Sequence, residues 1–111
     1  MAGFPTKFIP GKKIPKTVVN AATYDVVKMR QVLLVTYTAT GPVTSLTLPS
    51  SLCKEGNWLI VKDAVGLAGT NNITIDTEGS EKIDGQDTLV INTNYDWTLL
   101  YCDGSNWYVI G

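Results

Sequence analysis

From residue 23 to residue 110 this chain is a series of short β-branched and aromatic runs, none long enough for a helix of ordinary length. "QVLLVTYT" (31–38), "VTSLTL" (43–48), "NWLIVKD" (57–63), "NITID" (72–76), "TLVIN" (88–92), "WTLLYC" (97–102) and "NWYVI" (106–110) are the strong runs, and "TYDVV" (23–27) is a weaker one. Gly41-Pro42, Gly66, Gly69, Gly79, Asp84-Gly85 and Asp103-Gly104 stand between them. Glycine and aspartate tolerate the positive φ that tight turns require, so each run is expected to be a strand closed by a turn. Residues 20–34 can be forced into a 3.6-residue period, but Thr23, Val26, Val27 and Val32 are stiff at χ1 and favour extended backbone. The expected fold is all-β: one antiparallel β-sandwich domain of jelly-roll-like form.

Alternation assigns faces within the runs. Ile73 and Ile75 share one side of their strand, as do Leu89 and Ile91 of theirs. In "WTLLYC", Trp97, Leu99 and Tyr101 oppose Thr98, Leu100 and Cys102, so both faces carry apolar groups. Such a strand belongs in the middle of a sheet or at a subunit contact. "NWYVI" repeats the pattern, with Trp107 and Val109 opposing Tyr108 and Ile110.

The N-terminus is of another kind. "MAGFPTKFIPGKKIPK" holds four lysines, three prolines at five-residue spacing and no acid. Residues 1–30 carry six Lys or Arg against Asp25 alone, a net +5, while residues 31–111 carry three lysines against nine acids, a net −6. The expected organisation is an extended basic arm over residues 1–20 and a β-sandwich domain over residues 21–111. Sixteen extended residues reach roughly 50 Å, and prolines lower the entropy lost when the arm is ordered. Phe4, Phe8 and Ile9 are suited to pockets on a partner, and Lys7, Lys12, Lys13 and Lys16 to its acids. Nucleic acid is the weaker match, because the arm has no arginine before residue 30 and the remaining chain repels phosphate.

Composition removes several functions. With 44% hydrophobic and 17% charged residues the chain is a folding one. No stretch approaches the roughly 20 apolar residues of a membrane span, and lysines and prolines interrupt each apolar run before residue 17, so no secretory signal is read. Histidine is absent, which rules out Ser-His-Asp and Cys-His devices built from this chain. No enzyme and no cofactor are expected. Cys53 and Cys102 are too few for a disulfide scaffold or a zinc site, and are expected as free, buried thiols. Asp76, Glu78, Glu81, Asp84 and Asp87 are dense enough to raise calcium, but Glu81 falls where a calcium loop needs glycine, and solvated turns explain them equally well. "VGLAG" (65–69) has the glycine spacing of a phosphate cradle without the helix that should follow, and reads as a loop. Trp58, Trp97, Tyr101, Trp107 and Tyr108 are the candidates for stacking on sugars, with Trp97, Trp107 and Tyr108 set apart as glycan or interface residues.

"VLLVTYTATGPVTSLTLP", the long stretch from "WLIVKDA" through "NNITI", "GSEKIDG" and "INTNY" to "WTLLY", and "DGSNWYVI" together resemble a β module of tailed-phage virion proteins. The resemblance covers about residues 23–111, and within it "YDWTLLYC" departs by carrying bulky Trp97 where the module usually has small residues. A lone module with a basic arm is most similar to the small "staple" capsid decoration proteins of epsilon15-like phages. That resemblance implies a β-sandwich akin to carbohydrate-binding modules, on the outer capsid surface of the virion after synthesis in the host cytoplasm. Its partner would be the major capsid protein, clamped subunit to subunit, with no catalytic residues. A twofold pair is the assembly the staple resemblance implies, and a trimer is what many fibre modules use. The competing expectation is a receptor- or glycan-binding module of a head or tail fibre.

Overall fold

A computed structural model of the chain describes residues 13–111. Nine strands succeed one another: β1 (Lys16–Val19), β2 (Thr23–Asp25), β3 (Val32–Val35), β4 (Thr44–Leu48), β5 (Trp58–Asp63), β6 (Ile73–Thr77), β7 (Thr88–Ile91), β8 (Trp97–Cys102) and β9 (Trp107–Val109). The only helical pieces among the described residues are two short 3₁₀ turns, Tyr37–Ala39 and Ser50–Leu52. The all-β expectation holds. Residues 16–19, inside the stretch read as an arm, form β1, and residues 1–12 lie outside the described residues.

The pairing differs from the expected antiparallel order. One sheet runs β1-β3-β5-β8-β9 and the other β2-β4-β6-β7. Up to β6 the chain crosses to the opposite sheet after every strand, so β1, β3 and β5 lie parallel in one sheet and β2, β4 and β6 parallel in the other. Antiparallel pairing enters only with β5–β8, β6–β7 and β8–β9, so both sheets are mixed. The turn at Gly41-Pro42 closes no hairpin. It carries the chain from β3 to β4, with the Tyr37 ring occupying the space that a side chain on Gly41 would need. Turn residues say where a strand stops and not which sheet the next one joins, which is why the crossing is hard to read. A hint was present, however: "VLLV" and "WLIV" are continuous apolar runs, the pattern of parallel strands buried on both faces.

Two expected turns do close hairpins. Asp84 (φ 50°) and Gly85 (φ 79°) make the two-residue turn between the bridged Ile83 and Gln86, with both central residues left-handed as that turn demands. Asp103 accepts from the Ser105 and Asn106 amides at 2.9 and 2.8 Å and closes β8 onto β9.

Between the sheets lies one buried cluster. Leu33, Val35, Leu59, Val61 and Leu100 enter it from the five-stranded sheet, and Leu46, Leu48, Ile73, Ile75 and Ile91 from the other. Ile73 and Ile75 face it together, as their alternation requires, and β8 lies between β5 and β9 with Leu100 and Cys102 pointing inward. Cys53 and Cys102 are joined in a disulfide with their Cα atoms 5.6 Å apart, which overturns the expectation of free thiols. The bridge ties the residue after the second 3₁₀ turn to the end of β8 across 49 residues of sequence.

Candidate functional site

The outer faces of the two sheets differ in chemistry. On the four-stranded sheet the register sets Thr23 beside Ser45, Thr74 and Val90, and Asp25 beside Thr47, Asp76 and Thr88, a surface of hydroxyls and carboxylates. The five-stranded sheet carries Val32, Ile60 and Leu99 in one outward row. Trp58, Ile60 and Leu99 form a second buried cluster there, with Ile14, Val32 and Trp97 packed against it. Val18, Tyr108 and Ile110 are 55%, 40% and 57% exposed. Trp58, Ile60 and Leu99 are themselves covered, so the apolar surface this face offers to a neighbour is its rim of Val18, Tyr108 and Ile110 beside Trp97.

Trp97 borders two grooves, one on this outer face and one that reaches the four-stranded sheet. One, of about 280 Å³, is walled by Val32, Ile60, Lys62 and Trp97. The other, of about 440 Å³, runs from Trp97 and Asp96 to Leu89–Ile91 of β7 and to the C-terminal residues Val109, Ile110 and Gly111. Lys62 lends its hydrocarbon stem to the first groove, while its ammonium donates to the Tyr95 carbonyl and sits over the Tyr95 ring.

Basic groups collect at the neighbouring end of the sheet. Lys13, Lys16, Lys28 and Arg30 are exposed where β1 and β3 begin. Gln31, fully buried, holds that corner: its amide donates to the Lys28 carbonyl at 3.0 Å, and its carbonyl oxygen accepts from the Thr17 hydroxyl. Arg30 has φ 61°, and its amide donates to the Trp58 carbonyl at 2.7 Å.

Of the arm residues singled out, Phe4, Lys7, Phe8, Ile9 and Lys12 lie outside the described residues, while Lys13 and Lys16 are exposed. The aromatic candidates separate. Trp97 lies on the outer face, half-buried. Tyr108 is also outward, its hydroxyl donating to Asp103 Oδ2 at 3.1 Å. The amides of Asn106 and Ser105, with that hydroxyl, hold the Asp103 carboxyl below the usual carboxylate range, and Asp103 in turn pushes the Tyr108 phenol up. Trp107 belongs to neither groove. Its side chain is 0% exposed in the core between the sheets, out of reach of a sugar, and its indole N–H finds no partner among the described residues. Alternation had already set Trp107 opposite Tyr108; which of the two faced inward was open until the sheets were paired.

The acidic residues of the β6–β7 connection are engaged by the chain's own donors, mostly from the second 3₁₀ turn and β9. Glu78 accepts from the Ser50 amide and Glu81 from the Ser50 hydroxyl, both at 2.9 Å, Asp84 accepts from the Val109 amide at 3.1 Å, and Asp87 pairs with Lys82. Among the described residues no group of three His, Cys, Asp or Glu is placed to hold a metal ion.

One residue of consequence was not singled out from sequence. Asp63, at the end of β5, is 0% exposed. Its Oδ1 accepts from the Thr38 hydroxyl (3.1 Å) and the amides of Val65 (3.3 Å) and Gly66 (3.1 Å), and its Oδ2 from the amides of Ala68 and Tyr95, both at 2.9 Å. Burial pushes this carboxyl up, and the amides of Tyr95, Ala68 and Val65 with the Thr38 hydroxyl more than reverse the effect, so it titrates below its ordinary value. "VGLAG", read from sequence as an ordinary loop, thus forms with Tyr95 and Thr38 a nest of donors around a carboxylate, and the anion is the chain's own. Gly66 has φ 79° and packs under the Tyr95 ring, so no side chain fits there. The signal available in sequence was the Asp two residues before that loop.

No protein-family model matches the chain, and no curated protein matches it.

Proposed function

We propose that this chain is a phage capsid decoration protein, a staple that binds the outer surface of the shell and bridges coat subunits. The observation that carries the reading is the asymmetry of the two outer faces: an apolar, aromatic face bordered by lysines and Arg30 on one side, a face of threonines and aspartates on the other. A protein that lies on a surface needs one face to bury and one for solvent. The two sheets around one cluster fit a β-sandwich wound in parallel pairs. The arm and the basic corner would steer the chain to acidic coat surface, as a staple requires, and two copies related by a twofold axis would span neighbouring subunits. A buried disulfide accords with service in an oxidising setting such as the virion exterior, after synthesis in the host cytoplasm. No catalytic step and no cofactor enter this role.

Binding the assembled shell and not its dissociated subunits stabilises it by linkage, about 2.7 kcal/mol per site at a hundredfold excess over the Kd. Adding the chain to shells stripped of decoration should therefore raise the temperature at which they break open, saturably with concentration. Shells that break at the same temperature at every concentration of the chain would contradict the role. The fibre reading, a glycan-binding module, has one supporting feature in the exposed Tyr108–Asp103 pair. Burial of Trp107 removes the stacking partner that reading would use. A saturable hit in a glycan screen would favour it.

A further inference from the structure

The edge of a sheet is a row of unpaired N–H and C=O groups that another strand can join, and proteins blunt such edges with charge, proline, short strands or a covering segment. Here the edge strands are β1 and β9 of one sheet and β2 and β7 of the other. β1 begins at Lys16, directly after Pro15, and β2 is three residues long and ends on Asp25. β9 is covered by the 82–84 segment. The Trp107 amide donates to the Lys82 carbonyl at 2.8 Å, the Trp107 carbonyl accepts from the Asp84 amide at 3.0 Å, and the Val109 amide donates to Asp84 Oδ1 at 3.1 Å. β7 has none of these devices. "TLVI" holds no charge and no proline, the Asp87 ahead of it is paired with Lys82, and Val90 is 44% exposed.

The ladder shows which groups of β7 are free. The Thr44 amide donates to the Asn72 carbonyl and the Glu78 amide to the Leu48 carbonyl, so Thr74 and Asp76 turn their backbone groups to β4, and Ile73 and Ile75 turn theirs to β7. Their partners in β7 are Ile91 and Leu89. The N–H and C=O groups of Thr88 and Val90 therefore point away from β6, and no donor or acceptor among the described residues meets them. Beside this edge lies the groove of about 440 Å³, with Leu89 and Ile91 on one wall and Trp97, Val109 and Ile110 on the other.

We infer that β7 pairs antiparallel with β7 of a second copy, about a twofold axis through Val90, and so joins the two four-stranded sheets into one. Successive side chains of a strand alternate, so a twofold axis perpendicular to the sheet matches inner with inner side chains only where it passes through a residue. Through Val90 it sets Val90 against Val90, exchanging both N–H···O bonds, with Thr88 opposite Asn92 and Leu89 opposite Ile91 beside the groove. Asp87 then falls opposite Thr93, so no like charges oppose each other. An axis through Leu89 is the poorer choice, because it calls on the backbone groups of Gln86, which are already bonded to Ile83. The edge is thus complementary to itself, which is what a twofold contact requires. Such an axis also leaves the five-stranded sheets of both copies on the same side of the joined sheet, with their outer faces and basic corners uncovered. That this pair spans two coat subunits rests on the function proposed above; the pairing itself does not.

The test is sedimentation equilibrium of the full chain beside Val90→Lys and Val90→Glu variants, changed at an exposed position of the outer face. The wild type should rise saturably from the 12.0 kDa chain mass to twice that value. Each variant alone sets two like charges directly against each other and should weaken the dimer at least about tenfold, and an equal mixture of the two should restore it. Hydrogen exchange on the wild type supplies a second readout that needs no variant to fold. The Thr88 and Val90 amides should exchange at least about tenfold more slowly as the dimer forms, while those of Leu89 and Ile91, bonded to β6, are protected at every concentration. A wild type that keeps the single-chain mass up to its solubility limit would overturn the inference. So would a dimer in which the Thr88 and Val90 amides exchange freely, since its contact lies elsewhere. Protection of those two amides at every dilution would give the edge to a segment of the same chain, and protection only on adding shells would give it to coat protein; either sinks the inference. Shell binding is scored separately. A chain that binds shells without pairing through β7 sinks this inference alone, and a β7 dimer that binds no shell sinks only the proposed function.

Discussion

Asp63→Asn should destabilise the fold by about 3–5 kcal/mol, the sum expected when two buried amides and a buried side-chain NH2 lose their partners together. Asparagine has the shape of aspartate but one acceptor oxygen. If that oxygen faces Thr38, Val65 and Gly66, the new NH2 points at the amides of Ala68 and Tyr95, donor against donor. Flipping the amide only moves the conflict to the other set. Against a domain stability of about 5–15 kcal/mol this is a large fraction. The loops over 64–69 and 93–96 should open first, because both hang on this carboxylate. Urea unfolding read by tryptophan fluorescence measures the change, and a variant within about 1 kcal/mol of wild type would show that the nest is not holding the fold.

The same carboxylate fixes a pH dependence. Its folded-state value lies below the ordinary 3.8, so on acidification the unfolded chain takes up the proton first. The stability it contributes is therefore complete above about pH 5 and is lost as the pH falls through 3.8 toward the lower folded value. Asp87 and Asp103 are shifted the same way but are exposed, so Asp63 should dominate. In Asp63→Asn the loss of stability between pH 6 and pH 3 should be visibly shallower than in wild type; an identical acid limb would assign it to other groups.

The second large effect is expected from the disulfide. Closing a loop between residues 49 apart restricts the unfolded chain by about 4 kcal/mol in the chain-entropy account. Both half-cystines are buried, so reduction changes the core little and acts chiefly through the unfolded state. Oxidised and reduced protein, compared in urea at one pH, should differ by about 3–4 kcal/mol, the reduced form unfolding first. Coincident transitions would mean that the two thiols are not bridged in solution.

What could be read from sequence was local. β6 and β7 were legible because Ile73, Ile75, Leu89 and Ile91 alternate, and the turn at Asp84-Gly85 because two left-handed residues need that chemistry. The winding between sheets was not, since Gly41 and Pro42 mark an end of strand without naming a partner for β4. β1 was hidden by its own lysine: "KTVV" continues a basic, proline-spaced stretch, and only pairing with β3 makes it a strand. The same limit applies to the site. Trp97 and Trp107 look alike in sequence, yet one borders two grooves and the other fills the core. Asp63 looked like an ordinary strand end, because the five donors that surround it come from three separate stretches of chain. The pairing of Cys53 with Cys102 depends on how the second 3₁₀ turn meets the end of β8, which no spacing rule supplies.

The central claim is most directly tested by co-sedimenting the purified chain with mature shells stripped of decoration, beside a deletion of residues 1–12. That deletion stops short of Ile14 and of β1, and so leaves the described fold whole. The account predicts saturable binding of the full chain, weakened by added salt as its lysines are screened, and binding lost or reduced by at least about tenfold in the deletion. A full chain that stays in the supernatant at every concentration would contradict it.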